Sequence, residues 1–183
     1  EDLGVRVEAV REAVQTTEPH IFAQEWLNVW PSLATETVID AHKWSALTRL
    51  DTQIGSFMVF GVDINPQRTR ATIGAAGMNG PFCCLEIIEN ENKIGWVKDR
   101  ILELWERWKM PFVIDSGAAA SSLILELESE GVNVIPISMR QYGQACGSFF
   151  DAVESQTIAH MGDVRLQTAI ENATKRKLGE QWA

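Results

Sequence analysis

Two aspartates close short apolar runs. Asp63 follows Phe57-Met58-Val59-Phe60-Gly61-Val62, and Asp115 follows Phe112-Val113-Ile114. Runs this short, rich in Phe and Val and without helical spacing, predict strands buried on both faces. A carboxylate where such a strand emerges is unfavourable unless something offsets its charge. If the two strands are neighbours, two like charges converge, and either one stays protonated or a cation sits between them. A divalent metal held by paired carboxylates implies chemistry on phosphate. The structural alternative is that each Asp caps a turn or the following helix.

The elements that must position these residues follow from the pattern of the chain. Residues 1–50 carry no strand signal and are expected to form a helical arm or linker ahead of a body spanning 51–183. Within the arm, Glu18 to Leu33 predicts a helix with Phe22, Trp26 and Trp30 on one side, a stripe expected to pack on the body. Three strands follow in quick succession: Phe57 to Ile64, Arg68 to Ala76 and Phe82 to Ile88. Asn65-Pro66-Gln67 and Gly77-Met78-Asn79-Gly80-Pro81 supply the turns, so the spacing predicts an antiparallel meander.

After the meander, helices and strands alternate. Lys93 to Lys109 is a predicted helix, with Ile94, Val97, Ile101, Leu104, Trp105 and Trp108 at helical spacing. Phe112 to Asp115 is a strand, Ala119 to Glu130 a helix with Gly131 as left-handed C-cap, and Val132 to Ile137 a strand. Ser138 and Gln141 form a capping box opening a helix to about Glu154, and a last helix is expected from Val164 to Leu178. The fold class is α/β: an RNase H-like mixed five-stranded sheet, three antiparallel strands then parallel ones, with helices on both faces. In that fold the first and fourth strands are central neighbours, which brings Asp63 and Asp115 together. A two-metal phosphodiester site needs that geometry, with two ions about 3.5–4 Å apart on shared carboxylates.

Composition bounds the function. With 183 residues, 45% of them hydrophobic, the chain can form one domain with a sizeable core. No apolar run approaches the roughly 20 residues needed to span a bilayer, so no membrane partner is expected. The three cysteines form no disulfide framework and no zinc spacing, which points to a reducing cytosol. The net charge of −9, with scattered bases at Arg68, Arg70, Arg140 and Lys175-Arg176-Lys177, predicts weak binding of DNA by the domain alone. A start at Glu1 rather than Met reads as an excised piece.

Three motifs in order carry a resemblance. They are Gly61-Val62-Asp63-Ile64-Asn65-Pro66, Val113-Ile114-Asp115-Ser116-Gly117-Ala118, and Ile158-Ala159-His160-Met161-Gly162-Asp163 followed by Leu166. Together they resemble the nuclease domain of tailed-bacteriophage large terminase subunits. Phe22, Glu25-Trp26-Leu27, Trp30, Val38-Ile39-Asp40 and Trp44 are similar to the segment that joins the family's ATPase half to its nuclease half. The resemblance implies a Mg2+- or Mn2+-dependent endodeoxyribonuclease that uses two ions to cut concatemeric phage DNA during packaging. Double-stranded DNA, a terminase ATPase domain, a small terminase subunit and the portal are the implied partners, in the cytoplasm of an infected bacterial host. Asp63 and Asp115 fall on the family's first and second metal-binding acidic positions, as catalytic and metal residues.

The family's third acidic residue is expected past residue 183, and the phosphate-binding loop of its ATPase half does not occur in this sequence. Asp163 is a candidate substitute ligand, set against the commoner role of an Asp there as helix N-cap. His160 matches a recurring family histidine and is a candidate to approach the metals; its alternative role is a hydrogen-bonded structural histidine. Ser116-Gly117-Ala118 suits close approach of a phosphate, or a plain strand-to-helix turn. Two rival readings remain: a catalytically weak RNase H-like docking module of the packaging motor, and half of an actin-like or sugar-kinase-like phosphotransferase.

Overall fold

The computed structural model describes residues 37–175 and the backbone of 177–178 and 181–182. The predicted aromatic helix at Glu18 to Leu33 lies outside the described residues. The elements are α1 (Ala41–Ser45), β1 (Met58–Ile64), β2 (Arg70–Asn79), β3 (Phe82–Asn92), α2 (Val97–Trp108), β4 (Phe112–Asp115), a 3-10 turn (Ala119–Leu123), α3 (Ile124–Ser129), β5 (Val134–Ile137), α4 (Met139–Glu154), β6 (Ile158–His160) and α5 (Val164–Glu171), then the short pair β7 (Lys177–Leu178) and β8 (Gln181–Trp182).

Strands β1 to β3 form the expected meander, with Gly80 at φ +58 in the hairpin between β2 and β3, a conformation glycine adopts without steric cost. Strand β4 then joins β1 in parallel and β5 joins β4 in parallel. The main sheet runs β5-β4-β1-β2-β3-β6, so it has six strands where the sequence predicts five. The sixth, β6, pairs in parallel with β3. Three residues are too few for a periodic signal, and all three are buried.

Each face of the sheet carries helices. On one side Phe60, Val62 and Ile64 of β1 and Phe112 and Ile114 of β4 meet Val97, Ile101 and Leu104 of α2 and Leu127 of α3. On the other side Trp44 of α1, Val153 of α4 and Ile170 of α5 gather with Ile158 of β6. Strand β1 alternates strictly: Met58, Phe60, Val62 and Ile64 are buried, while Gly61 and Asp63 are exposed. The expectation of burial on both faces is therefore corrected. One face of β1 is core, and the other opens at its C-terminal end, because α4 covers that face only in part.

Other boundaries differ from the sequence reading: β2 runs on to Asn79 through the expected turn, β3 extends to Asn92, and α2 starts at Val97. The described residues belong to a unit that begins at Thr37, so residues 37–50 pack with the body. Trp44 is fully buried, and residues 47–49 cover the edge of β6, with Arg49 N–H donating to the His160 carbonyl at 2.9 Å. The last helix stops at Glu171 rather than Leu178. There the Asn172 side-chain amide donates to the Thr168 carbonyl at 2.7 Å, satisfying an acceptor that a further helical turn would use. The predicted caps are present: Ser138 and Gln141 form both hydrogen bonds of a capping box, and Gly131 has φ +78.

Candidate metal centre between two parallel strands

Strands β1 and β4 pair Phe60 with Phe112, Gly61 with Val113 and Val62 with Ile114. The next step of that register is Asp63 and Asp115. Paired residues of neighbouring strands point to the same face, so both carboxylates leave the sheet on its open side. Both line one cleft of about 760 Å³, together with Gly61, Thr72, Ile137 and Tyr142. Ile137 is the β5 partner of Asp115, and Thr72 is the β2 partner of Asp63. The roof comes from the first turns of α4, which contribute Met139, Tyr142 and Ala145.

Asp115 is half-buried and held from behind. Its Oδ1 accepts from the Gly117 N–H at 2.8 Å, and Ser116 is tied to the Ile137 carbonyl through both its N–H (2.9 Å) and its hydroxyl (2.8 Å). A Cβ on residue 117 would stand 3.5 Å from Asp115 Oδ1, an ordinary contact, so close packing does not demand glycine there. At Gly61, one pleat before Asp63, an added Cβ would meet nothing within 4 Å, which marks open space in front of the carboxylates.

Hard oxygen donors in a solvent-open cleft suit Mg2+ or Mn2+. Such ions are held by one or two carboxylates, keep several waters and take remaining ligands from phosphate. No group of three or more His, Cys, Asp or Glu side chains able to hold a metal occurs among the described residues. The other large cleft, about 610 Å³ between residues 52–58 and α2, contains Glu86, Arg100 and Arg107 but no carboxylate pair.

His160 and Asp163 lie elsewhere. His160 ends β6, at the sheet edge and separated from β1 by β2 and β3. Its ring stacks on Trp44 at 4.2 Å, its Nδ1 accepts from the Gly162 N–H at 3.1 Å, and its Nε2 lies 3.1 Å from the Trp44 carbonyl. An accepting Nδ1 leaves the proton on Nε2, which donates to that carbonyl. Asp163 is the N-cap of α5, accepting from the Arg165 N–H at 2.7 Å, and forms an ion pair with the Arg165 guanidinium at 2.5 Å. That guanidinium holds its carboxyl below the usual range. The structure thus brings Asp63 and Asp115 together and places neither His160 nor Asp163 with them.

Thr72 and Tyr142 carry no motif and escape a reading by pattern. Tyr142 had one available signal: the helix after β5 must start beside the C-terminal ends of β4 and β1, where clefts of α/β sheets open.

This element order and strand order define an RNase H-like fold. More narrowly, the fold is that of phage large terminase nucleases. The large terminase nuclease of thermophilic phage G20c with bound magnesium superposes with a TM-score of 0.59 at 14% identity, over 80% of this chain and 86% of that one. The HK97 bacteriophage large terminase gives 0.64 at 9% identity, over 80% of this chain and 38% of that one. The large terminase of a second thermophilic bacteriophage gives 0.55 at 12% identity, over 95% of this chain and 46% of that one. At these identities the likeness establishes the fold. No protein-family model matches the chain, and no curated protein matches it by sequence.

Proposed function

We propose that this chain is the metal-dependent DNA endonuclease domain of a phage packaging terminase, hydrolysing phosphodiester bonds in concatemeric viral DNA. The observation that carries the reading is the in-register placement of Asp63 and Asp115 on adjacent parallel strands facing one cleft, in a fold shared with terminase nucleases. Asp63 and Asp115 are the residues that would hold Mg2+ or Mn2+. Bound there, the ions supply charge stabilisation at the phosphate and a water activated at neutral pH.

The chain's own contribution is orientation. The Gly117 N–H fixes one oxygen of Asp115, and Ser116 fastens the loop to β5. The β1–β4 ladder keeps Asp63 beside Asp115 without requiring a side-chain contact between them. Thr72 and Tyr142 form the cleft walls against which a sugar–phosphate strand would lie. A terminase ATPase domain, a small subunit and a portal are the partners this reading brings, in the cytoplasm of an infected host. No described helix is long and apolar enough to cross a membrane.

The test is plasmid cleavage without ATP in Mn2+ or Mg2+. The chain is expected to nick and degrade DNA, and Asp63→Asn and Asp115→Asn are each expected to stop it. Undiminished cutting by either purified variant overturns the reading. If neither cutting nor any metal effect is found, the docking-module reading takes its place.

A further inference from the structure

Five of the described lysines and arginines pair with carboxylates: Lys43 with Glu154, Lys98 with Glu126, Arg100 with Glu89, Lys109 with Glu106 and Arg165 with Asp163. Arg68 stands on the turn between β1 and β2, and Arg70 opens β2, five and seven residues after Asp63. In a chain of net charge −9, two arginines this near Asp63 along the chain supply local positive charge.

The turn is built to hold them. Asn65 Oδ1 accepts from the Thr69 and Arg70 N–H groups at 2.8 and 3.0 Å, and Asn65 Nδ2 donates to Thr69 Oγ1 at 2.8 Å. Arg68 has φ +55, a left-handed conformation that is unfavourable for a residue with a long side chain. From there its Nη1 donates to the Ala119 carbonyl at 2.9 Å and approaches Ser122 Oγ at 3.3 Å. It thereby spans the loops that follow both aspartates.

Arg70 is fixed through a relay that starts beside Asp63. Thr72 is the register partner of Asp63, and Asn90 is the register partner of Thr72. Asn90 Nδ2 donates to Thr72 Oγ1 at 2.7 Å, and Arg70 Nε donates to Asn90 Oδ1 at 2.7 Å. Arg70, two residues from Thr72, shares its face of the sheet. With Nε anchored, the two terminal nitrogens form a planar fork of the kind that fits phosphate oxygens. Strand spacing and rise put its Cα about 8 Å from that of Asp63, a reach suited to a phosphate beside the one being cut.

We propose that Arg68 and Arg70 clamp backbone phosphates of the DNA strand lying in the Asp63–Asp115 cleft, with Asn90 as the positioning residue for the Arg70 guanidinium. The choice of DNA rests on the nuclease reading; the clamp itself rests on the turn and the relay.

The experiment measures binding of a mixed-sequence fluorescent duplex to the 183-residue chain in calcium across a salt series, with cleavage in manganese followed separately. Arg68→Gln and Arg70→Gln are each expected to weaken binding roughly tenfold and lower the log–log salt slope by about one. Arg70→Lys is expected to keep the slope but lose cleavage rate, because a lysine cannot donate to Asn90 and still present a two-pronged donor to phosphate. Asn90→Ala is expected to lower kcat/KM with the slope intact, and to add little to Arg70→Gln. Arg107→Gln, on the far cleft, controls for net charge and is expected to leave the slope unchanged. Unchanged slopes in both glutamine variants, slopes equal to that of the Arg107 control, or no measurable affinity overturn the clamp. Arginine-dependent binding without cleavage overturns the nuclease reading and leaves the clamp standing; cleavage with unaltered slopes does the reverse.

Discussion

Asp63 and Asp115 stand one register step beyond Val62 and Ile114, on parallel strands, and both open into the same cleft. The two aspartates lie 52 positions apart in the sequence, and the ladder alone makes them neighbours. Asp63→Asn and Asp115→Asn are expected to lower cutting by more than about 100-fold, since losing even a residue that supports a metal ligand costs 10–100-fold. Each keeps a side-chain oxygen in place, and Asp63 is exposed, so unfolding free energies should stay within about 0.5 kcal/mol of the parent. Urea titration checks the second half. A loss of several kcal/mol would mean that the activity defect reports misfolding.

Metal binding has a readout independent of cutting. An ion that binds only the folded state stabilises it by about 1.4 kcal/mol at ten times its Kd. For a chain of this size, that corresponds to a rise of roughly 3–6 °C in melting temperature. Millimolar Mn2+ should produce the rise in the parent and fail to do so in Asp63→Asn. An equal rise in both would place the ion elsewhere.

Gly61 allows stability and activity to be pushed in opposite directions. A Cβ there meets nothing within 4 Å, and the residue shares the cleft with Asp63. Gly61→Val should therefore stabilise the strand slightly, by up to about 1 kcal/mol, since glycine in a strand interior is unfavourable. The same side chain would crowd the approach to the carboxylates and slow cutting. Thermal melts and plasmid cleavage on one preparation check both signs; faster cutting, or a destabilised protein, would show the cleft to be wider or tighter than described.

The central four strands and the meeting of the two aspartates were legible in the sequence because each strand carries enough apolar residues for its pattern and each turn its own signal. The capping box at Ser138 was legible for the same local reason. Strand β6 was not, because its identity depends on pairing with β3 across three helices and two strands of intervening chain rather than on its three residues. The open face of β1 was missed because Val59 and Gly61 count as apolar whether a helix covers them or not. Asn90 and Thr72 gain meaning only through register.

His160 illustrates a motif residue with a structural use. It is 1% exposed, stacked on Trp44, and has both ring nitrogens hydrogen-bonded. His160→Ala should cost about 2–4 kcal/mol, from the cavity and from the polar groups left without partners. The Mn2+-induced rise in melting temperature should survive the substitution. A variant of normal stability that loses the metal response would move His160 into the metal centre.

Asp163 carries a pH-dependent share of stability whose sign follows from its environment. The hydrogen bonds from the Arg165 guanidinium hold its carboxyl below the usual value, and Arg165 also donates to the Ile87 carbonyl at 2.9 Å, fastening α5 to β3. A carboxyl lowered in the folded state stabilises it fully above the ordinary value near pH 3.9, and that share disappears as pH falls through the folded value. Asp163→Asn retains an N-cap acceptor while removing the charge, so it isolates the pair from the cap. The pair is partly exposed, and the difference between parent and variant should be about 0.2–1 kcal/mol at pH 6–7. It should shrink steadily below about pH 4. Arg165 stays charged throughout this range and adds no slope of its own. Urea midpoints of both proteins from pH 3 to 7 make the comparison. A difference near zero at every pH would mean that the cap, not the ion pair, is what Asp163 contributes, and one that grows on acidification would have the wrong sign for a charged Asp163.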